Sequence, residues 1–163
     1  MAVAGGQQHR DSIGVEALGD ASRCSEAHAI DQGLDANRLA MLLAAGNRHA
    51  GVSLQEHDVF VNVVGGIEIG ETSADLPVLI ALTSSLKGQP LPAQLVAFGE
   101  IGLTGEVRPV AYGDERLREA QAQGFRLAIV PQANAPRSEP TGMRVIAVTR
   151  IAGALEAALS RGT

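Results

Sequence analysis

The chain has 163 residues and a formal charge of −5, so one domain with a real core is expected, without compositional support for nucleic-acid binding. Its single cysteine, Cys24, excludes an internal disulfide and a cysteine-rich zinc site and fits a reducing cytoplasm. Aromatic residues make up 2% of the chain, too few for a base-stacking platform, so the core must be aliphatic; no apolar run is long enough to span a membrane or to act as a secretory signal.

Residues 1–32 mix Gly, Ala, Gln, His and scattered charges without a sustained period. They read as a mobile leader with at most short helical pieces. His9 and His28 fall here, without partners at metal spacing, and read as solvated. Asp35 then caps a helix running to about His49. Leu39, Leu42 and Leu43 mark its buried face and Met41 widens it. Gly46 weakens the last turn, and Gly51 is a natural stop.

The central stretch runs from Asp58 to Leu86. Val59, Phe60, Val61, Val63 and Val64, interrupted only by Asn62, suit a strand covered on both faces. Gly65 and Gly66 turn the chain, a short second strand follows, and a helix begins beside Ser73. Thr72 or Ser73 can cap it, and Pro77 must lie in its first turn, where a missing N–H costs nothing. Ser73 at a helix start has two readings. Backbone N–H groups there could form an oxyanion hole for a nucleophile, or the serine could be an ordinary cap, the commoner case.

After Lys87-Gly88-Gln89-Pro90, residues 95–98 read as a strand, and GEIGLTGEVRPV as a hairpin with Gly105 in its turn. Asp114 is a candidate cap for a second helix that places Leu117 and Ala120 inward and stops at Gly124. Residues 127–130 form a strand, 131–143 a loop, and 145–148 a last strand. Thr149 is the expected cap of a final helix bearing Ile151, Leu155, Ala158 and Leu159. The order of elements predicts an α+β, or mixed α/β, fold without internal repeats.

Several chemistries lack their motifs. Lys87 is the only lysine, and it precedes a glycine, so there is no P-loop. There is no G-x-S-x-G elbow and no paired-histidine or paired-cysteine metal motif. His57 and Asp58 could join Ser73 in a triad only by converging in space; His57 otherwise reads as a strand-end surface residue. A Ser-Lys dyad would need Lys87, fourteen positions along the same helix. At a rise of ~1.5 Å per residue the two are about 20 Å apart, whereas a base must come within about 3 Å of its nucleophile. Within one subunit Ser73 therefore has no lysine. Arg108, Arg116 and Arg118 gather around the hairpin and the second helix. They are candidates for contact with phosphates or a neighbouring subunit, against the simpler reading of a solvated face.

The run GLDANRLAMLLAAGNRHAGVSLQEHDVFVNVVGGIEIGETSADLPVLIALTSSL, with LVAFGEIGLTGEVRPV and GDERLREAQAQGFRLAIVP, resembles the C-terminal region of the RadA (Sms) family of bacterial DNA-repair proteins. That region is similar to the proteolytic domain of Lon proteases. Ser73, in Thr72-Ser73-Ala74-Asp75, matches the nucleophile of Lon's P-S-A-G motif. Asp114, in Gly113-Asp114-Glu115-Arg116, stands where Lon's G-L-K-E motif has the catalytic lysine. The resemblance therefore implies a Lon-like domain over residues 33–163 with its catalytic pair dismantled, acting as a scaffold. It also implies a homo-oligomer, a hexameric ring around DNA, in which a separate RecA-like ATPase drives branch migration in recombinational repair. ATP, magnesium and zinc belong to family domains outside this stretch, so no cofactor is expected in the chain itself. The leader does not resemble the family, which suggests a fragment, a shortened paralogue or a product with an unusual start, and Pro77 departs from the family's helix start. The alternatives are an active Lon-type serine peptidase using Ser73, and an isolated folded relic.

Overall fold

The computed structural model describes residues 2–4, 13–20, 29–32, 35–51, 53, 58–63 and 72–160. In chain order the elements are β1 (Ala2–Ala4), β2 (Ile13–Asp20), β3 (Ala29–Gln32), α1 (Ala36–Ala50), β4 (Asp58–Val63), α2 (Asp75–Lys87), β5 (Leu95–Ala97), β6 (Glu100–Ile101), β7 (Val107–Arg108), α3 (Gly113–Ala122), β8 (Leu127–Pro131), β9 (Arg144–Val148) and α4 (Ile151–Leu159). Among the described residues seven strands form one mixed sheet in the order β3-β4-β2-β1-β5-β8-β9, and β6 pairs with β7 as a separate hairpin. The mixed α/β expectation holds.

Strand periodicity divides the core in two. Leu95, Ala97 and Ile129 point to one face of the sheet, where they pack with α1, α2 and α4. Val96, Phe98, Ala128 and Val130 point to the other, where Leu117 and Ala120 of α3 cover them. α2 is buried along most of its length, from Asp75 to Thr83. Gly46 lets α1 cross it closely: a Cβ at that position would lie 2.8 Å from Leu79 Cδ1. The glycine read from sequence as a weak point is thus a point of helix contact.

The leader is the largest correction. Three strands, β1, β2 and β3, lie within residues 1–32 and belong to the same sheet as the rest. β2 pairs antiparallel with the whole of β4, from Val15 opposite Val63 to Asp20 opposite Asp58. β1 joins the two halves of the sheet, parallel to β2 and antiparallel to β5 through Ala2 and Ala97. Glycine- and alanine-rich strands carry little propensity of their own, and pairing with a strongly β-forming neighbour supplies what composition does not.

α1 is bounded as expected: the Asp35 side chain accepts from Arg38 N, and Gly51 closes the helix in the left-handed region at φ 63°. α3 stops at Gly124 as expected, through Gly124 N–H to the Gln121 carbonyl and Phe125 N–H to the Ala120 carbonyl. Three other caps differ. α2 is preceded by one 3-10 turn, Thr72–Ala74, and its N-cap is Ala74, without a side-chain cap bond. The N-cap of α3 is Tyr112, at φ 60°, so Asp114 lies inside the first turn instead of capping it. The N-cap of α4 is Arg150, not Thr149. Distant carbonyls serve instead: Leu76 N–H donates to Gly99 O at 3.1 Å, and Ile151 N–H to Gly105 O at 3.0 Å. The short strand expected after Gly65-Gly66, and His57, lie outside the described residues.

Candidate functional site

The residues singled out by sequence centre on the start of α2. Ser73 occupies the middle of the 3-10 turn, 9% exposed. Its carbonyl accepts Gly99 N–H at 3.0 Å, while Gly99 O takes Leu76 N–H, so the end of β5 is stitched to both sides of the turn. Gly99 is at φ 153°, a conformation that strains other residues, and a Cβ there would press on Val107 Cγ1 at 3.0 Å and Pro131 Cγ at 3.2 Å.

Two residues further on lies the strongest polar feature of the core. Asp75 is 1% exposed. Its Oδ1 accepts from Arg38 Nε at 2.9 Å, its Oδ2 pairs with Arg38 Nη2, and the same Oδ2 accepts Ile101 N–H at 2.9 Å. This forked pair joins α1, α2 and β6 around the serine turn. Burial pushes the Asp75 carboxyl above its ordinary range, against the opposing pull of Arg38 and the Ile101 N–H. The hydrogen bond that Arg38 donates to Asp75 pushes the Arg38 guanidinium up. Sequence reading missed this pair. The only available signal was an aspartate where the Lon motif has glycine, and its partner lies thirty-seven residues away.

The other candidates are dispersed. Lys87 is the last residue of α2, exposed, at the opposite end of the helix from Ser73. At ~1.5 Å per residue it cannot reach the serine of its own chain. Asp114 is exposed in the first turn of α3, where with Glu115 it complements the helix dipole. Arg108 pairs with Glu100 at 3.3 Å and with Glu106, Arg116 Nε donates to the Ala111 carbonyl at 3.0 Å, and Arg118 lies 3.6 Å from Glu115. Among the described residues no group of histidine, cysteine, aspartate and glutamate side chains is placed to hold a metal. No helix among them is long and apolar enough to cross a membrane.

A second polar cluster fixes the hairpin. Glu106 accepts from the Thr104 hydroxyl and from Arg108. Hydrogen bonds from Thr104 and from its own backbone N–H, with help from Arg108, pull its carboxyl down to about 2. The hairpin tip rests on α1 and α4: His49 Nε2 is 3.0 Å from Leu103 O, Arg150 Nη1 donates to Thr104 O at 3.3 Å, and Val107 N–H donates to Thr149 O at 2.9 Å.

The family described as subunit ChlI of Mg-chelatase matches residues 37–134, which takes in α1, the serine turn, the hairpin and α3. The chain belongs to that family. Over a longer stretch it is similar to proteins named DNA repair protein RadA, as the sequence motifs led one to expect. The Pseudomonas aeruginosa protein is 52% identical over 145 residues, 89% of this chain and 32% of that protein. The Escherichia coli protein is 50% identical over 143 residues, 88% of this chain and 31% of that protein. The more distant Bacillus subtilis protein is 34% identical over 148 residues, 90% of this chain and 32% of that protein. The chain thus spans about a third of the length of the curated relatives it matches. A match of 145 residues exceeds the 131 between 33 and 163, so at least 14 leader residues belong to it. That agrees with the leader strands in the sheet and corrects the expectation that the leader stands apart.

Proposed function

We propose that this chain is a non-catalytic, Lon-protease-like scaffold domain of a RadA-type protein acting in DNA repair. The observation that carries the reading is the 52% identity to a RadA protein across 89% of the chain. The non-catalytic part is supported at the serine turn. Ser73 is buried, the only lysine lies at the far end of α2, and the nearby Asp75 carboxylate is engaged by Arg38 and Ile101. In this reading copies of the chain assemble, in a ring of six by the family expectation. The remaining two-thirds of the full protein supplies ATP hydrolysis, metal binding and DNA translocation in the cytoplasm. Arg108 and Arg118 have acidic partners within the chain, which favours the solvated-face reading over DNA contact.

The test is a domain exchange. This chain replaces the corresponding third of the Pseudomonas aeruginosa RadA protein, with either Ser73 or Ser73→Ala, and survival after DNA damage is scored. Equal rescue by both is expected. Rescue by neither, with both proteins expressed and folded, would overturn the scaffold reading. Rescue by Ser73 alone would favour the Lon-type peptidase, the competing reading that the position of Ser73 at a helix start keeps in play. A fluorophosphonate probe that labels the chain but not Ser73→Ala would then identify the nucleophile.

A further inference from the structure

Tyr112, the only tyrosine in the chain, is 74% exposed, one of two large hydrophobic side chains left open among the described residues. It is also the one non-glycine residue among them at positive φ, with φ 60° and ψ 37°. An aromatic residue in the left-handed region is strained, and such strain persists only where the surroundings enforce it. Two side chains enforce it here. Asn134 clamps the backbone two residues earlier: Val110 N–H donates to its Oδ1 at 2.9 Å, and its Nδ2 donates to Val110 O at 3.0 Å. Arg116 donates to the next two carbonyls, to Ala111 O through Nε at 3.0 Å and to Tyr112 O through its backbone N–H at 2.9 Å. Each carbonyl from Val110 to Tyr112 is bound, so an open aromatic ring is presented on a fixed turn.

The opposite layer of the molecule has a hole. The C-terminal ends of α1, α2 and α4 converge on an open groove of about 370 Å³, with an apolar lining of Ala50, Ala152, Leu155 and Leu159 and two charged residues, Lys87 and Glu156. These three helices pack on the sheet face of Leu95 and Ile129, whereas α3, which starts at Tyr112, covers the face of Val96 and Val130. Knob and hole therefore lie on opposite sides of one sheet, and a chain offers them to different neighbours. Charges match across such a contact: Asp114 and Glu115, exposed beside the knob, suit Lys87, and Arg118 further along α3 suits Glu156.

We infer that Tyr112 of one copy seats in the groove of the next, a head-to-tail contact between copies of the chain. Such a contact joins unlike surfaces and leaves one of each free at the ends, so copies add in sequence and close as a ring where the rotation per step allows. Tyrosine fits this hole because its ring meets the apolar lining while its hydroxyl reaches the charged edge. The fixed turn reduces the conformational freedom lost on docking. The inference rests on the scaffold reading and names the surface through which the copies join.

The experiment is solution mass by light scattering, from micromolar to near-millimolar chain, on the wild type, Tyr112→Asn, Ala152→Glu and an equimolar mixture of the two variants. Asparagine tolerates the left-handed region and Ala152 is exposed on α4, so both variants should fold. The wild-type mass should climb past two chains with concentration. Each variant alone should associate about tenfold more weakly or worse. The mixture should form pairs and stop there, because the Tyr112 of one variant fits the intact groove of the other. Melting at the lowest concentration separates docking from a structural role: Tyr112→Asn should melt about 2 to 4 °C higher through relief of strain, although it no longer assembles. A wild type that stays monomeric or stops at two chains would overturn the inference. So would variants that assemble like the wild type, a mixture that does not pair, or a Tyr112→Asn chain that melts lower. The domain exchange reads repair and light scattering reads assembly, so failure of one is told apart from failure of the other.

Discussion

The two ends of α2 differ in how their polar groups are used. At the N-terminal end, Ser73, Asp75 and the backbone around Gly99 are buried and tied to one another. At the C-terminal end, Lys87 is exposed on the edge of an open groove without a partner among the described residues. The resemblance to a protease draws attention to the first end, yet the open end is the one available to another molecule.

That contrast can be broken most severely at Arg38. Arg38→Ala leaves the Asp75 carboxylate buried and unpaired, and should cost about 3 to 4 kcal/mol of stability by urea unfolding. Adding Asp75→Asn, which still accepts the Ile101 N–H without a charge, should recover part of the loss. If Arg38→Ala unfolds like the wild type, the N-terminal end is not the locked region described here. A smaller effect is expected at the hairpin that leads toward the open end. Gly105 is at φ 80°, and a Cβ there would lie 2.6 Å from the His49 ring. Gly105→Ala should therefore cost about 2 kcal/mol by urea unfolding, through backbone strain and a displaced tip.

The effect of Ser73→Ala on stability should be within about 1 kcal/mol, because backbone bonds and the Asp75 pair hold the turn. A larger loss would show that the buried hydroxyl itself helps to hold the turn. The finest probe is pH. The Glu106 carboxyl is lowered to about 2 in the folded chain, from an ordinary 4.5. A depressed carboxyl stabilises above the unfolded value and ceases to do so as pH falls through the folded one. The hairpin should therefore lose support between about pH 4.5 and 2, and carboxyl shifts followed by NMR should show Glu106 titrating near the bottom of that window. Glu106→Gln should remove this part of the pH dependence while leaving the rest of the chain's acid response in place.

Sequence reached local features well and long-range ones poorly. Asp35 and Gly51 were legible as the bounds of α1 because a cap acts on residues within one turn. Gly124 was legible for the same reason. The starts of α2 and α4 were not, because their N–H groups are met by carbonyls of Gly99 and Gly105, more than twenty residues away in each case. The leader strands were hidden because Ala2–Ala4 and Ile13–Asp20 form a sheet by pairing, not by pattern. At the candidate site, Ser73 was placed correctly at the start of α2, and the separation of Lys87 from it followed from helix geometry alone. The Arg38–Asp75 pair was out of reach, since nothing local marks one buried aspartate among many exposed ones.

Because Lys87 is the only lysine, its ε-amine is the only side-chain amine in the molecule, and it stands at the groove. An amine-reactive dye therefore marks this one side-chain position, besides the terminal amine. The fold thus carries its own single-point reporter, whose brightness or anisotropy can follow occupancy of the groove without any engineered residue.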